Sequence, residues 1–306
     1  VAKAFDILAV GYACVDYITV VDRLPNLDEK MVVDNLLIQG GGPSATAMVA
    51  AARLGARTAL VTSLADDPLG REIVAELERE GVDVSLTPLR TAGNSAFAFA
   101  MIQRNGGLRT IVGRPATVEH LTGADLPVET IAKAKVLFID GNEPEAQLAA
   151  AKAAREAGVP VIFDAGNEKA GMEELIPFTD VLIASHGFGR DAGGSDDPAV
   201  AAKAFFARGS LTVSAVTAGA RGAYFHTSEG AFHQPIFKVN VVDTTGAGDA
   251  FHGAYAYAMV KRWPVKRAAR FAAAVAAMKC TKLGGRTGLP RLAAVEAFLA
   301  ERSAGG

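Results

Sequence analysis

The sequence predicts an α/β protein: a three-layer α/β/α core around a mainly parallel sheet, with a small β-sheet lid. Three observations carry that prediction. Strand-like and helix-like segments alternate along most of the chain, two strand-only blocks interrupt the alternation, and many of the 32 glycines fall in clusters at the joins. Alternation of this kind marks a parallel sheet wrapped by helices. Strand pairs inserted into such a core can form a separate sheet over the crevice at the carboxyl ends of the parallel strands.

The elements follow in order. Residues 5–10 form a short continuous apolar run, read as a buried strand, and 17–21 and 31–38 read as further strands. Gly40-Gly41-Gly42 then introduces a helix over 44–54. Strands are expected over 58–62, 136–140, 159–164, 181–184 and 211–217. Helices are expected over 69–80, 145–157 and 199–207. The second strand-only block, 95–112, flanks Asn105-Gly106-Gly107, a hairpin signal. The lid is therefore assigned to about 15–39 and 95–113. A strand at 239–242 is expected to turn through Gly246 and Gly248 into a helix from about 250 to 259, and a further helix covers 271–278. The tail 303–306 is expected to be disordered.

Of the 306 residues, 50% are hydrophobic and 21% charged, with 31 Lys and Arg against 33 Asp and Glu, for a net charge of −2. That balance argues against a nucleic-acid partner, and so much apolar mass argues against disorder. A single domain over 1–306 is expected. Two cysteines, Cys14 and Cys280, are too few for a disulfide scaffold or zinc cluster and suit a reducing cytoplasm. Lys3, Asp6 and Asp16 spoil the first apolar run as a signal peptide, and no membrane span is expected.

The most informative stretch runs Asp243-Thr244-Thr245-Gly246-Ala247-Gly248-Asp249-Ala250-Phe251-His252-Gly253. Backbone N–H groups at a helix start lack partners and sit at the positive end of the dipole, so Gly246, Ala247 and Gly248 can cradle an anion. Asp249 in the first turn has two readings. It caps the helix and complements its dipole, or it accepts a proton from a hydroxyl attacking a terminal phosphate. No Lys follows these glycines as a P-loop requires, and Phe251 stands where a dinucleotide fingerprint has its third glycine.

These residues resemble the carboxy-terminal signature of the ribokinase-like, or PfkB, carbohydrate kinases. Gly41-Gly42, followed by Ala51-Ala52-Arg53-Leu54-Gly55, Gly70 and Gly81-Val82, is similar to the amino-terminal signature. The resemblance implies a ribokinase-like fold and ATP-dependent transfer of the γ-phosphate to a hydroxyl of a small carbohydrate, a ketose or sugar derivative. It implies that Asp249 is the base and that the N–H groups of Gly246, Ala247 and Gly248 hold the charge on the γ-phosphoryl. Asp16 matches the aspartate that binds sugar hydroxyls, and Gly41 and Gly42 the backbone that closes over the sugar. Thr217-Ala218-Gly219-Ala220-Arg221-Gly222 resembles the T-x-G-x-x-G nucleotide loop, with Thr217, Gly219 and Gly222 as contacts. Ala276, Ala277 and Cys280 match segments that border adenine. Asp243 and Thr245, with carbonyls near Cys280 and Gly285, match a monovalent cation (K+) site.

Departures are informative. Ser185-His186-Gly187-Phe188 stands where many relatives carry N-x-x-E, so Mg2+ is expected to rely on phosphate oxygens and water, with Asp164 as a candidate ligand. Pro43 and Thr46 replace the Lys and Asn that follow the paired glycines in ribokinases, which disfavours a ribose specialist. The runs at 40–46, 251–253 and 279–281 look closest to the ketohexokinase and sulfofructose kinase branch. Lys30 matches the lysine of the latter's substrate site, while Gly113 and Asn142 stand at its other two positions. Arg104, Arg109 and Arg114 are either ligands for an anionic substituent or solvated edge charges. His252 is read as a packing group rather than an acid or base. A nucleoside kinase with Phe97 and Phe99 as base slot, and a non-catalytic sensor, remain alternatives. Leu36, Leu37 and Ile38 suggest a homodimer through the lid.

Overall fold

The computed structural model describes residues 5–104, 108–166 and 170–302. The first half holds β1 (Ile7–Val10), β2 (Cys14–Val21), β3 (Leu37–Gly41), α1 (Pro43–Arg53), β4 (Thr58–Val61), β5 (Leu64–Ala65), α2 (Pro68–Arg79), β6 (Val82–Asp83), β7 (Leu89–Arg90), β8 (Phe97–Gln103) and β9 (Arg109–Arg114). The chain continues through α3 (Val128–Ile131), β10 (Val136–Ile139), α4 (Pro144–Glu156), β11 (Val161–Ala165), β12 (Val181–Ser185), α5 (His186–Asp191), α6 (Pro198–Phe206) and β13 (Val213–Thr217). It ends with β14 (Ala223–Thr227), β15 (Gly230–Gln234), α7 (Ala247–Val260), α8 (Val265–Lys279) and α9 (Leu292–Glu301).

Nine strands form the main sheet in the order β15-β14-β13-β12-β11-β10-β1-β4-β6, parallel from β13 to β6 and antiparallel at the β13–β14–β15 edge. Both faces are covered, so alternate residues of one strand enter different cores. Ile7, Ala9, Val136 and Phe138 face the layer of α1, α7 and α8, whereas Leu8, Val10, Leu137 and Ile139 face α4 and its neighbours. This is why these strands read as unbroken apolar runs. The chain winds outward in opposite directions from β1 and β10, which puts the topological switch point between their carboxyl ends.

A second sheet, β3-β2-β8-β9, is the expected lid. Its register sets Gln39, Asp16, Ala98 and Gly113 side by side on one face, and Ile38, Tyr17, Phe99 and Val112 side by side on the other. The β8–β9 turn at 105–107 and the tail 303–306 lie outside the described residues.

Two expected strands are corrected. Residues 31–36 do not pair. The Asn35 side chain accepts from the Val20 N–H at 2.7 Å and donates to its carbonyl at 3.2 Å, replacing the backbone ladder, so β3 begins only at Leu37. The 239–242 segment also has no strand partner, because Val242 and Asp243 donate their N–H groups to the Cys280 carbonyl at the end of α8. The β14–β15 hairpin and α9 were not foreseen.

Helices α1 and α7 pack closely through small residues. A Cβ built on Gly253 would lie 2.2 Å from the Ala47 carbonyl oxygen. Replacing a helical Gly by Ala ordinarily stabilises by about 1 kcal/mol. For Gly253→Ala we expect the opposite sign, a loss of about 1–3 kcal/mol from overpacking, read as a lower Tm by calorimetry. An unchanged or raised Tm would show that the α1–α7 contact can relax.

Candidate active site

At the switch point stands Asp140, 4% exposed and immediately after β10. Its Oδ2 accepts from Tyr12 N at 2.8 Å, Ser44 N at 3.2 Å and Ser44 Oγ at 2.7 Å. Its Oδ1 accepts from Asn142 N at 3.0 Å and Gln147 Nε2 at 2.9 Å. One carboxylate thus joins the loop after β1, the start of α1, the loop after β10 and α4. Gly42 caps α1 with φ +91°, and a Cβ there would meet the Tyr12 carbonyl at 2.6 Å, so only glycine fits this entry.

Asp16 lies on the inner lid face against the Gly41 backbone, where a Cβ on Gly41 would come within 2.2 Å of its carboxylate. Ala98 and Gly113 beside it leave open floor. Beneath this loop Arg286, 2% exposed, donates to the Gly41 carbonyl at 3.0 Å and to Thr46 Oγ1 at 3.3 Å, and pairs with Glu76 at 3.2 Å. The other Glu76 oxygen accepts from the Gly40 N–H. Sequence reasoning missed both Asp140 and Arg286.

Helix α7 starts at Gly246, in the left-handed region with φ +72° and its Cα face against Gly285. The Ala247 N–H donates back to the Thr244 carbonyl at 3.2 Å. The N–H groups of Gly246, Gly248 and Asp249 have no acceptor among the described residues, so within the expected cradle Ala247 alone is engaged. From the lid, Arg109 Nη1 reaches Thr244 Oγ1 at 3.0 Å. Of Arg104, Arg109 and Arg114, Arg109 alone joins the turn. Arg104 pairs with Asp22, and Arg114 donates to the Ser95 carbonyl and lies over Phe97.

A cavity of about 430 Å³ opens beside the turn. All six residues expected to contact nucleotide, Thr217, Gly219, Gly222, Ala276, Ala277 and Cys280, line it, together with Ala247, Gly248 and Arg109. Segment 234–241, misread in part as a strand, forms another wall. By contrast, Lys30 is exposed in the β2–β3 connection, and no contact among the described residues ties it to Asp16. Asn142 is held at the Asp140 loop.

Four carboxylates, Asp16, Asp140, Asp164 and Asp249, are close enough to influence one another. Burial pushes Asp249 up, and the charges of His252, Arg109 and Arg286 act against that rise. Burial likewise pushes Asp164 up to about 7, opposed by His252. The His252 ring, 3% exposed, sits between the Gly248 carbonyl at 2.7 Å and the Ile183 carbonyl at 3.0 Å, with Asp164 Oδ2 at 3.3 Å. It braces the turn from behind, in keeping with the packing role expected of it. Among the described residues there is no cluster of His, Cys, Asp and Glu suited to holding a metal ion, and no helix is long and apolar enough to cross a membrane.

Comparison with known proteins places the chain. The pfkB family carbohydrate kinase profile matches residues 4–292. An ATP-dependent ribose-1-phosphate kinase from Halopiger xanaduensis is 30% identical over 300 residues, covering 97% of this chain and 98% of that one. A crystal structure from Agrobacterium tumefaciens superposes with a TM-score of 0.94 at 28% identity, covering 99% of this chain and 100% of the other. The Arabidopsis thaliana ribokinase complexed with ribose and ATP gives a TM-score of 0.83 at 25% identity, covering 97% and 99%. The chain belongs to the pfkB family of carbohydrate kinases.

Burial pushes Asp16 up to about 6, with Cys14 and Arg286 pulling the other way. Its folded value exceeds the unfolded one, so the native state binds the proton more tightly and stability falls as pH rises between the two values. Asp16→Asn should therefore raise Tm relative to wild type above pH 6, and the gap should close toward pH 4. Equal melting curves at pH 8 would contradict the burial cost.

Proposed function

We propose that this chain is a cytoplasmic, ATP-dependent sugar kinase that phosphorylates a hydroxyl of a small carbohydrate, a ketose or sugar derivative. One observation carries the reading: Ala247 and Gly248 at the start of α7 line the cavity that holds the nucleotide-loop residues, and the adjoining Asp249 is near enough to Asp16 on the inner lid face for its charge to act there. Phosphoryl transfer requires this order of acceptor, base, anion cradle and nucleotide.

In the proposed reaction the sugar donates hydroxyl protons to the Asp16 carboxylate and rests against the Gly41 and Gly42 backbone, with Asn142 at the rim. Asp249 takes the proton of the attacking hydroxyl as its oxygen bonds to the γ-phosphorus. The bond from that phosphorus to the bridging oxygen breaks, and ADP leaves with the electron pair. The Gly248 and Asp249 N–H groups and the α7 dipole stabilise charge on the transferring group. Arg109 brings positive charge from the lid and couples closure to exclusion of water. Mg2+ would be held chiefly by phosphate oxygens and water, with Asp164, whose buried Oδ2 makes no hydrogen bond, as the candidate carboxylate ligand. Bound there, it would neutralise phosphate charge.

The nucleoside-kinase alternative loses its support. Phe97 and Phe99 pack on Tyr17, on the lid face opposite Asp16, and offer no base slot. The name of the Halopiger relative and the open floor at Ala98 and Gly113 favour a substituted acceptor over free ribose, consistent with the ketohexokinase and sulfofructose kinase resemblance. Lys30 enters this reading only through that resemblance.

Asp249→Asn should lower kcat by about 10²–10⁴-fold, the range for loss of a general base, while nucleotide affinity changes little. An ATP-consumption assay across ketoses, aldoses, sugar acids and sugar phosphates, with calorimetry of an ATP analogue, checks both. Wild-type turnover in the variant would remove Asp249 as base. Wild-type protein that binds ATP but consumes none with any acceptor would favour a sensor.

The outer lid row supports a homodimer. Ile38, Phe99 and Val112 are 51%, 41% and 65% exposed in one apolar strip with Tyr17. Leu37, expected in this surface, turns inward and packs against the Ile18, Ala100 and Ile102 cluster instead. Light scattering should give twice the chain mass at micromolar concentration, and Val112→Glu should give the monomer.

A further inference from the structure

The aspartate that opens the phosphate-binding turn is fully enclosed, and so is a lysine. Asp243 and Lys279 are both 0% exposed. Asp243 Oδ1 accepts from Thr245 N and Oδ2 from Gly284 N, each at 2.8 Å, and its carbonyl accepts from Lys279 Nζ at 2.8 Å. The Cys280 carbonyl is engaged as well, by Val242 N at 2.8 Å and Asp243 N at 3.2 Å. The Gly285 backbone is pressed against Gly246. The shell that the family resemblance assigns to K+ is therefore largely filled by the protein's own donors. Thr245 Oγ1 is the buried side-chain oxygen of this loop that lacks a partner, and a second cation placed here would meet the charge of the Lys279 ammonium already bonded to the Asp243 carbonyl. These residues do not fit a bound K+.

A buried ammonium persists only where acceptors and opposite charge offset its desolvation. Lys279 donates to the Asp243 carbonyl, and the charges of the Asp243 carboxylate and of Asp249 act against the burial that pulls its proton affinity down. It also closes α8, where a cation suits the negative end of the dipole. We propose that the Lys279 ammonium is a built-in cation that holds the 243–249 turn in its phosphate-binding form, so that this kinase needs no potassium. Lys279 is a positioning residue, acting through the Asp243 carbonyl on the N–H groups of Gly248 and Asp249. The inference rests on the kinase reading for the purpose of the turn, though not for the identity of its cation.

The test compares potassium chloride with choline chloride at equal ionic strength, on the intact chain. Wild-type Tm should be the same in both salts, and affinity for a magnesium-bound, non-hydrolysable ATP analogue should differ by less than about twofold. Lys279→Ala, which removes the charge and leaves room, should melt lower in choline. In that variant potassium should raise Tm and improve analogue affinity by about tenfold or more, as expected for a ligand linked to the binding-competent turn. A wild-type Tm that rises with potassium, or wild-type analogue affinity that improves tenfold with it, overturns the proposal. So does a folded Lys279→Ala that binds the analogue like wild type in choline. Should the variant not fold, the two wild-type arms decide alone. Absence of analogue binding in every salt would count against the kinase reading, while the wild-type melting comparison still reports on the cation.

Discussion

The site depends on one buried carboxylate. Asp140 collects five hydrogen bonds from Tyr12, Ser44, Asn142 and Gln147, and these donors belong to the loop after β1, the start of α1, the loop after β10 and α4. Each of those N–H and O–H groups is buried or partly so; leaving one unsatisfied costs about 1–3 kcal/mol. The carboxylate therefore fixes the crevice between β1 and β10 before any ligand arrives. The Gly41–Gly42 entry into α1 follows from it, and the position of Asp16 above that entry follows in turn. Arg286 secures the same loop from below, so the glycine backbone that faces the crevice is held on both sides.

That rigidity comes at an electrostatic cost. The charge of Asp249 raises the proton affinity of Asp16 and Asp164, and that of Asp140 raises the proton affinity of Asp164 and Asp249; the compensating charges come from distant parts of the chain: Arg286 under the loop, Arg109 from the lid, His252 behind the turn and Lys279 at the end of α8. The balance suits a phosphotransferase. A proton acceptor must stand beside a place for phosphate, and backbone N–H groups with a few well-placed cations reconcile the two without a cluster of lysines. The near-neutral composition conceals this local separation of charge.

The parts of the site that were legible in the sequence are those whose chemistry is contiguous. The turn from Asp243 to Asp249 carries its own geometry, because glycine at 246 adopts the left-handed conformation and the following apolar residues can only be a buried helix. The runs at 217–222 and 276–277, singled out through the family resemblance, line one cavity beside that turn. Even here local reasoning erred by one donor, since the Ala247 N–H turns back to Thr244. The 31–36 segment misled because its apolar residues suit a strand, while a single side chain, that of Asn35, closes off the ladder it would have joined.

The amino-acid sequence by itself determined the alternating core, the two lid blocks and the glycine-rich turn, because hydrophobic period and glycine freedom act over a few neighbouring residues. Only the tertiary structure decided which charges serve that turn. Arg286 meets Gly41 across 245 positions and Lys279 meets Asp243 across 36. The side chain of an isolated lysine or arginine reads as a solvated surface charge. Whether it is instead buried against a carbonyl depends on desolvation and on acceptors supplied by other layers, and those are set when the sheet, the lid and helices α1, α7 and α8 come together.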